Sequence, residues 1–470
     1  MVTIDILPDE VLLAIFDFYM AGYPGEDFDM KRKIESWQLL VHVCGRWRCL
    51  IFGSPHRLNL QLYRILPETP AMKSLDVWPA LPLLIMGSVS ETSVDNVIAE
   101  LEHSDRICQL QLSCYTASRI EKLHTAMQVP FPKLTNLCLT FENSPYVPVL
   151  PDSFLGGSAP RLEFLCLISI PFPGLPKLLL SATHLVHLLL VRIPHSGYIS
   201  PDTMATCLSM LTSLEKLELE FDSPQSSPDQ ENRHSPLPAR SILPSLRIFS
   251  FKGVNEYMED LVSRIDAPRL GQMLTVLFND IDFDTPELGR FISRTPGFAA
   301  QDEAHLIFHS HDARVRLHSH YEPSYRRMVE VVILCQVSGW QLSSLAQICT
   351  LSLRLLLTTE NLYIYEDPNS PPDWNDNIEN TEWLDLLLTF TAVKNLYLSK
   401  QFAPYIARAL KELTGGRTTE VLPALQNILL EGFQPSETVQ EGILQFISAR
   451  QPTNHPVGIS GWDRDLRYDN

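Results

Sequence analysis

The chain has 470 residues, 45% of them hydrophobic and 20% charged, with a formal net charge of −18. That balance describes a well-packed soluble protein, and its sign argues against a nucleic-acid binder, which should carry a basic face. No apolar run approaches the ~20 residues of a membrane span, and the first residues lack the cationic-then-apolar order of a secretion signal.

The nine cysteines are odd in number, scattered and free of any C-x-x-C spacing. They are read as reduced thiols, so a cytoplasmic or nuclear protein is expected. Length alone allows two to four domains or one long repeat array.

In chain order, the first element is "ILPDEVLLAIFDFY", residues 6–19. Pro8 suits a first helical position, and Asp9 and Glu10 place negative charge on the first turn. Leu12, Ile15, Phe16 and Tyr19 fall on one face. Val11, Leu13 and Phe18 widen that face until the helix needs two covering surfaces. Residues 20–36 are polar and turn-rich, and "WQLLVHVCGRWRCLIF" (37–52) resumes a helical pattern through Leu40, Val43, Cys44, Trp47 and Ile51. Two helices of this size are too small to be stable alone.

Leu7, Pro8, Glu10, Val11, Leu12, Ile15 and Phe16, followed by Val43, Cys44, Trp47 and Arg48, resemble an F-box. The resemblance implies a short helical module over residues 1–55 that docks on the Skp-type adaptor of a cullin-based ubiquitin ligase. The adaptor contacts it implies are Leu7, Pro8, Leu12, Ile15 and Phe16 on the first helix and Val43, Cys44 and Trp47 later. Segment 20–36 is longer than most F-boxes carry there. An ordinary helical cap on a larger fold is the alternative.

Residues 56–104 are read as a connector and repeat cap. From 105 onward the pattern is Leu-x-x-Leu-x-Leu or a close variant. It occurs as "ICQLQL" (107), "LTNLCL" (134), "LEFLCL" (162), "LVHLLL" (185), "LEKLEL" (214), "LRIFSF" (246), "VEVVIL" (329), "TENLYI" (359), "VKNLYL" (393) and "LQNILL" (425). Weaker copies are "LGQMLT" (270) and "EAHLIF" (303), and successive starts lie 23 to 34 residues apart. Pro132, Pro160, Pro244, Pro268 and Pro423 stand two residues before an apolar anchor, where a strand loses no ladder bond to proline. Helical stretches at 93–104, 201–213 and 255–265 fall between the strands.

The expected fold is therefore α/β. An N-terminal helical F-box precedes a leucine-rich-repeat-like solenoid over 105–470, with parallel strands on the concave face and helices or irregular returns on the convex face. The repeats are degenerate, and the interval 270–329 is the least regular. A doubly wound sheet is the rival, but twelve strands in one open sheet are unusual and no Gly-rich turn follows a strand. Pro/Ser-rich residues 222–240 and acidic residues 365–383 are read as exposed loops.

No hydrolase, metalloprotease or nucleotide-binding motif occurs. No catalytic residue, cofactor site or metal site is assigned, and no enzyme activity is expected. The "HLIFHSHDARVRLHSHY" run (305–321) holds His305, His309, His311, His318 and His320. A hairpin would bring the pair His309 and His311 to the pair His318 and His320, in reach of zinc. The plainer reading is a polar face opposite Leu306, Phe308, Val315 and Leu317. Cys138 and Cys166 hold the same repeat position with no charged sequence neighbour, and are read as filler.

Alternation along each strand turns one residue set outward. Phe164, Ile168, Leu189 and Val191 form an apolar patch, Lys216, Glu218 and Glu220 a charged strip, and Tyr397 a later outward aromatic. Phe164, Ile168, Leu189, Val191, Lys216, Glu218 and Tyr397 are the candidate target-binding residues. Together with the motif, the architecture resembles the F-box/leucine-rich-repeat proteins found in mushroom-forming fungi. That likeness implies a non-catalytic substrate receptor of a Skp–cullin–F-box ligase, joined to a cullin through the adaptor and to an unidentified protein target. Two other readings are a repeat scaffold without a ligase and a metal-dependent enzyme that uses the histidines.

Overall fold

A computed structural model describes residues 6–21, 37–66, 80–90, 92–141, 148–224, 240–278, 285–299, 301–319, 327–335, 340–351, 354–372, 379–413, 417–432, 437–450 and 456–463. The chain divides into two compact units, Met1–Tyr198 and Ile199–Asn470.

The first unit begins with helices α1 (Asp9–Ala21) and α2 (Gly45–Gly53). Its strands are β1 (Leu62–Leu66), β2 (Leu83–Val89), β3 (Ile107–Cys114), β4 (Asn136–Phe141), β5 (Phe164–Ile168) and β6 (His187–Ile193). Each pairs in parallel with the next. Returns are made by α3 (Val94–Leu101), α4 (Ala117–Ala126), a 3-10 turn at Phe154–Gly157 and α5 (Leu175–Ser181).

The register explains why these residues form strands. Leu110, Leu137, Leu165 and Leu188 are mutual partners along β3–β6, and so are Leu112, Leu139, Leu167 and Leu190. All of these leucines are buried. Burying a leucine gives roughly 1.5–3 kcal/mol, which favours the register that keeps both columns inside.

The prolines do more than start strands. In each case the N–H three residues after an acceptor closes on its carbonyl: Leu134 on Phe131 (3.2 Å), Leu162 on Ala159 (3.1 Å), Leu246 on Leu243 (3.4 Å), Leu270 on Ala267 (3.1 Å) and Leu425 on Leu422 (3.1 Å). Pro132, Pro160, Pro244, Pro268 and Pro423 therefore sit at the second position of a β-turn, where a fixed φ is an advantage.

The second unit holds β7 (Lys216–Phe221), β8 (Ser241–Ile242), β9 (Ile248–Gly253), β10 (Ile265–Asp266), β11 (Gln272–Phe278) and β12 (Glu303–Phe308). It continues with β13 (Asp312–His318), β14 (Met328–Leu334), β15 (Asn361–Glu366), β16 (Asn395–Leu398), β17 (Asn427–Glu431) and β18 (Gly458–Trp462). Its helices are α6 (Pro201–Ser209), α7 (Asn255–Arg264), α8 (Pro286–Arg294), α9 (Gln341–Leu351), α10 (Asn380–Leu387), α11 (Ala403–Lys411), α12 (Arg417–Glu420) and α13 (Glu437–Arg450). The main sheet of this unit runs β7-β9-β11-β14-β13-β12-β15-β16-β17-β18, and β8 pairs with β10 alone.

Every apolar motif picked from sequence is part of a strand, and strands alternate with helical returns. The two ladders are leucine-rich-repeat-like, each a long sheet built mainly of parallel strands. Three expectations change. First, β13 runs antiparallel to both β12 and β14. His309 N–H closes on the Asp312 carbonyl at 2.9 Å, so 309–311 is a tight turn and β12 and β13 form a hairpin inside the parallel series. Second, β1, β2 and α3 lie in the segment read as a connector, so the ladder starts earlier. Third, β15 extends through Glu366 and α10 starts at Asn380, which shortens the second loop; residues 373–378 of it and 225–239 of the first loop lie outside the described residues. Among the described residues no helix is long and apolar enough to cross a membrane.

His124 on α4 is only 6% exposed, and burial pushes its pKa down from 6.5 to about 4. The unfolded chain takes up this proton below pH 6.5, while the folded chain resists it until about pH 4. Stability is therefore complete above pH 6.5 and falls as the pH drops to about 4, by up to about 3 kcal/mol. Urea unfolding of wild type and His124→Gln at pH 7 and pH 4.5 should show the smaller pH dependence in the variant. Equal dependence in both proteins contradicts the assignment.

Candidate functional site

In the N-terminal helices the polypeptide divides its apolar side chains between two faces. Pro8 stands one residue ahead of α1, and its carbonyl takes the N–H groups of Val11 and Leu12, both at 3.1 Å. Leu12 and Phe16 are each 0% exposed. They face inward, which removes them from the expected adaptor contacts. Phe16 lies 4.7 Å from the Trp47 ring at a tilt of 58°.

The outward residues are spaced differently. Val11, Ile15 and Phe18 follow i, i+4, i+7 spacing and share one helix face. Ile15 is 43% and Phe18 84% exposed. Ile6, Tyr19, Leu39 and Val43 are exposed as well, Val43 at 59%. Leu7, Cys44 and Trp47 are half-buried and Pro8 is exposed. An expected continuous helix over 37–52 is instead two: residues 37–41 are helical, Cys44 is extended, and α2 starts at Gly45. Val41, Val43 and Gly45 are poor helix formers, and they cluster at the break.

Three hydrogen bonds from two side chains hold this arrangement, and none is legible from the motif. Arg46 on α2 donates from Nη2 to the Leu7 carbonyl and to Asp9 Oδ1, both at 2.6 Å. This ties the second helix to the start of the first. Trp37, nearly fully buried, donates from Nε1 to the Gln61 carbonyl at 3.0 Å, one residue before β1. The helices are thereby anchored to the start of the strand ladder.

Within the first unit, Asn136, Phe164 and His187 form one register row, Cys138, Cys166 and Leu189 the next, and Thr140, Ile168 and Val191 the third. Phe164, Ile168, Leu189 and Val191 are half-buried, so their patch is real but shallow. Phe164 meets His187 edge-on at 5.9 Å. Cys166 is buried, whereas Cys138 is half-buried. Filler is an incomplete account of this pair: a hydrogen bond from the Cys166 thiol, with a second from Thr140, outweighs burial and pulls the Cys138 pKa down to about 7.

In the second unit the charged strip is satisfied internally. Lys216 Nζ lies 3.0 Å from Glu218 and Lys252 Nζ 2.7 Å from Glu220. Tyr397 is not a free outward aromatic: it stacks on Tyr363 at 4.1 Å and meets the Trp462 ring at 5.5 Å. Trp462 is held by a bond from Nε1 to the Leu398 carbonyl at 3.1 Å. The terminal strand β18 thus covers part of this row.

The histidines are regrouped by the hairpin. His309 lies beside Asp367 (3.4 Å) and Asp312 (3.9 Å). Burial lowers its pKa against the pull of those carboxylates. His311 is exposed, and His320 lies outside the described residues. The pairing that forms is His305 with His318, next to Glu303. Ile307, His309, Arg314, Arg316, Tyr365 and Asp367 line an adjacent cleft of about 460 Å³.

No family model matches the chain, and no curated protein matches it. Among solved structures, the leucine-rich repeat-containing protein LegL7 from Legionella pneumophila aligns at 10% identity. The alignment covers 82% of this chain and 97% of that chain with a TM-score of 0.28. A likeness that low carries no argument, and the repeat architecture rests on the strand register above.

The Cys138–Cys166 pair makes a direct prediction. Alkylation of Cys138 by iodoacetamide, followed by peptide mass spectrometry, should accelerate through about pH 7. In Cys166→Ala the midpoint should move up toward the ordinary 9.0. An unmoved midpoint would mean that Cys166 does not stabilise the thiolate.

Proposed function

We propose that the chain is a non-catalytic substrate-recognition subunit of a Skp–cullin–F-box ubiquitin ligase. The observation that carries this reading is the exposed apolar face of Val11, Ile15 and Phe18 on a helix whose other face is already closed, with Leu39 and Val43 exposed as well. A surface monomer seldom keeps so many large apolar groups in water without a covering partner. The residue pattern that resembles an F-box supplies the partner: a Skp-type adaptor, and through it a cullin.

The adaptor contacts in this reading are Leu7, Pro8, Ile15, Val43, Cys44 and Trp47, with Phe18 and Leu39 added. Leu12 and Phe16 support the face from beneath. The protein target is assigned to the strand ladder, with the row Phe164, Ile168, Leu189 and Val191 as its apolar part. The chain makes and breaks no bond: it raises the local concentration of target beside the ubiquitin-loaded enzyme. Such a complex works in the cytoplasm or nucleus.

The test is isothermal titration of the full chain with a Skp-type adaptor. Ile15→Asp should lower affinity at least ~100-fold, because a buried unpaired charge costs about 3 kcal/mol or more. Its thermal midpoint should hardly change, since the site is exposed in the free chain. Leu12→Asp should lose the fold of the module as well as binding. No measurable adaptor binding by wild type would leave a free-standing repeat scaffold as the reading.

A further inference from the structure

The β12–β13 hairpin gathers three metal-ligating side chains at its open end. Glu303 and His318 are direct register partners, and His305 is two residues along β12 on the same face. His305 Nε2 and His318 Nε2 face each other at 2.9 Å. Glu303 Oε2 lies 3.7 Å from the first and 3.5 Å from the second. Three ligand atoms from three residues thus point at one another within a space the size of a cation.

The spacing suits a particular class of ion. Zinc with nitrogen and oxygen ligands at about 2.0–2.2 Å in a tetrahedron sets its ligand atoms ~3.3–3.5 Å apart. The observed separations of 2.9, 3.5 and 3.7 Å bracket that value. Two imidazoles and one carboxylate are also a donor set for first-row transition ions rather than for calcium or magnesium.

The surroundings resemble a prepared site. His305 Nδ1 is 3.2 Å from Tyr365 Oη, an outer-sphere contact of the kind that orients a ligating imidazole and turns its Nε2 toward a metal. The His305 ring lies flat between two others, His318 at 4.7 Å and Tyr363 at 4.4 Å. The Tyr363 ring in turn stacks on Tyr397 at 4.1 Å. This column of rings holds His305 in place before any ion arrives. The Glu303 side chain is 5% exposed and the His318 side chain 25%, so the carboxylate forms the floor and His318 the rim.

We infer that Glu303, His305 and His318 form a binding site for a single zinc ion. The ion would join the first residue of β12 to the last residue of β13, at the end opposite the 309–311 turn. It would close the β12–β13 hairpin inside the parallel ladder, much as a short cross-link closes a loop.

The full chain, stripped with a chelator and dialysed, should be titrated with Zn²⁺ alone. The inference expects one zinc per chain and an upward shift of the thermal midpoint. Glu303→Gln combined with His318→Asn should abolish stoichiometric binding, while His311→Ala should bind as wild type. Tyr365→Phe should weaken affinity about 10- to 100-fold. Cobalt(II) added to the wild-type chain should give the intense visible absorption of a tetrahedral site. The inference is overturned by weak, octahedral-type cobalt absorption, by less than one zinc per chain, or by unchanged zinc affinity in a folded double variant. Any of those results would make the two imidazoles a pair that shares a proton.

Discussion

The structure depends on one constraint: each inward leucine must meet the leucine of the neighbouring strand. Side chains alternate with a period of two, so a slip of one residue would turn a whole leucine set to solvent. The chain therefore has to reset its register at every repeat. The turns Phe131–Leu134, Ala159–Leu162, Leu243–Leu246, Ala267–Leu270 and Leu422–Leu425 do this with proline at a fixed place. The backbone ladder also begins ahead of the strands, where Thr135, Glu163 and Val186 donate to Cys108, Thr135 and Glu163 at 2.7–2.8 Å. Once the inward columns are fixed, the outward residues fall into rows, which is how Cys138 comes beside Cys166 and His318 beside Glu303.

The N-terminal helices solve the opposite problem. They are too short to bury all their apolar side chains against one another. Leu12, Phe16, Trp37 and Ile51 make an interior, while Ile15, Phe18, Leu39 and Val43 stay in water. Arg46 joins the two helices through Leu7 and Asp9, and Trp37 fastens them to the chain that leads into β1. An apolar face that is held rigid before binding loses little ordering entropy on association. This is the physical sense in which the helices suit a docking role.

Much of the ladder was legible because its signal repeats. A leucine pattern seen twelve times identifies strands even where single copies are weak. Helix α1 was legible from its caps and period, but the choice between its two apolar faces was not: Leu12 and Ile15 are equally greasy, and only the packing of Phe16 on Trp47 shows which side is inside. The hairpin escaped because "EAHLIF" and "VEVVIL" each match the repeat. The direction of β13 is set by the tight turn at 309–311, which has neither glycine nor proline. The histidine grouping failed for the same reason. Counting along the chain paired His309 and His311 with His318 and His320, whereas strand register pairs His318 with Glu303 and brings it onto His305. The low pKa of Cys138 was likewise invisible in sequence, since its cause stands on the neighbouring strand.

In the proposed complex the N-terminal face, and not the strand ladder, receives the adaptor. Hydrogen exchange of the full chain with and without a Skp-type adaptor tests it most directly. Adaptor docking at this face should slow exchange over residues 9–19 and 39–47 and leave β3–β6 unchanged. No slowing anywhere, or slowing confined to the strands, would contradict it.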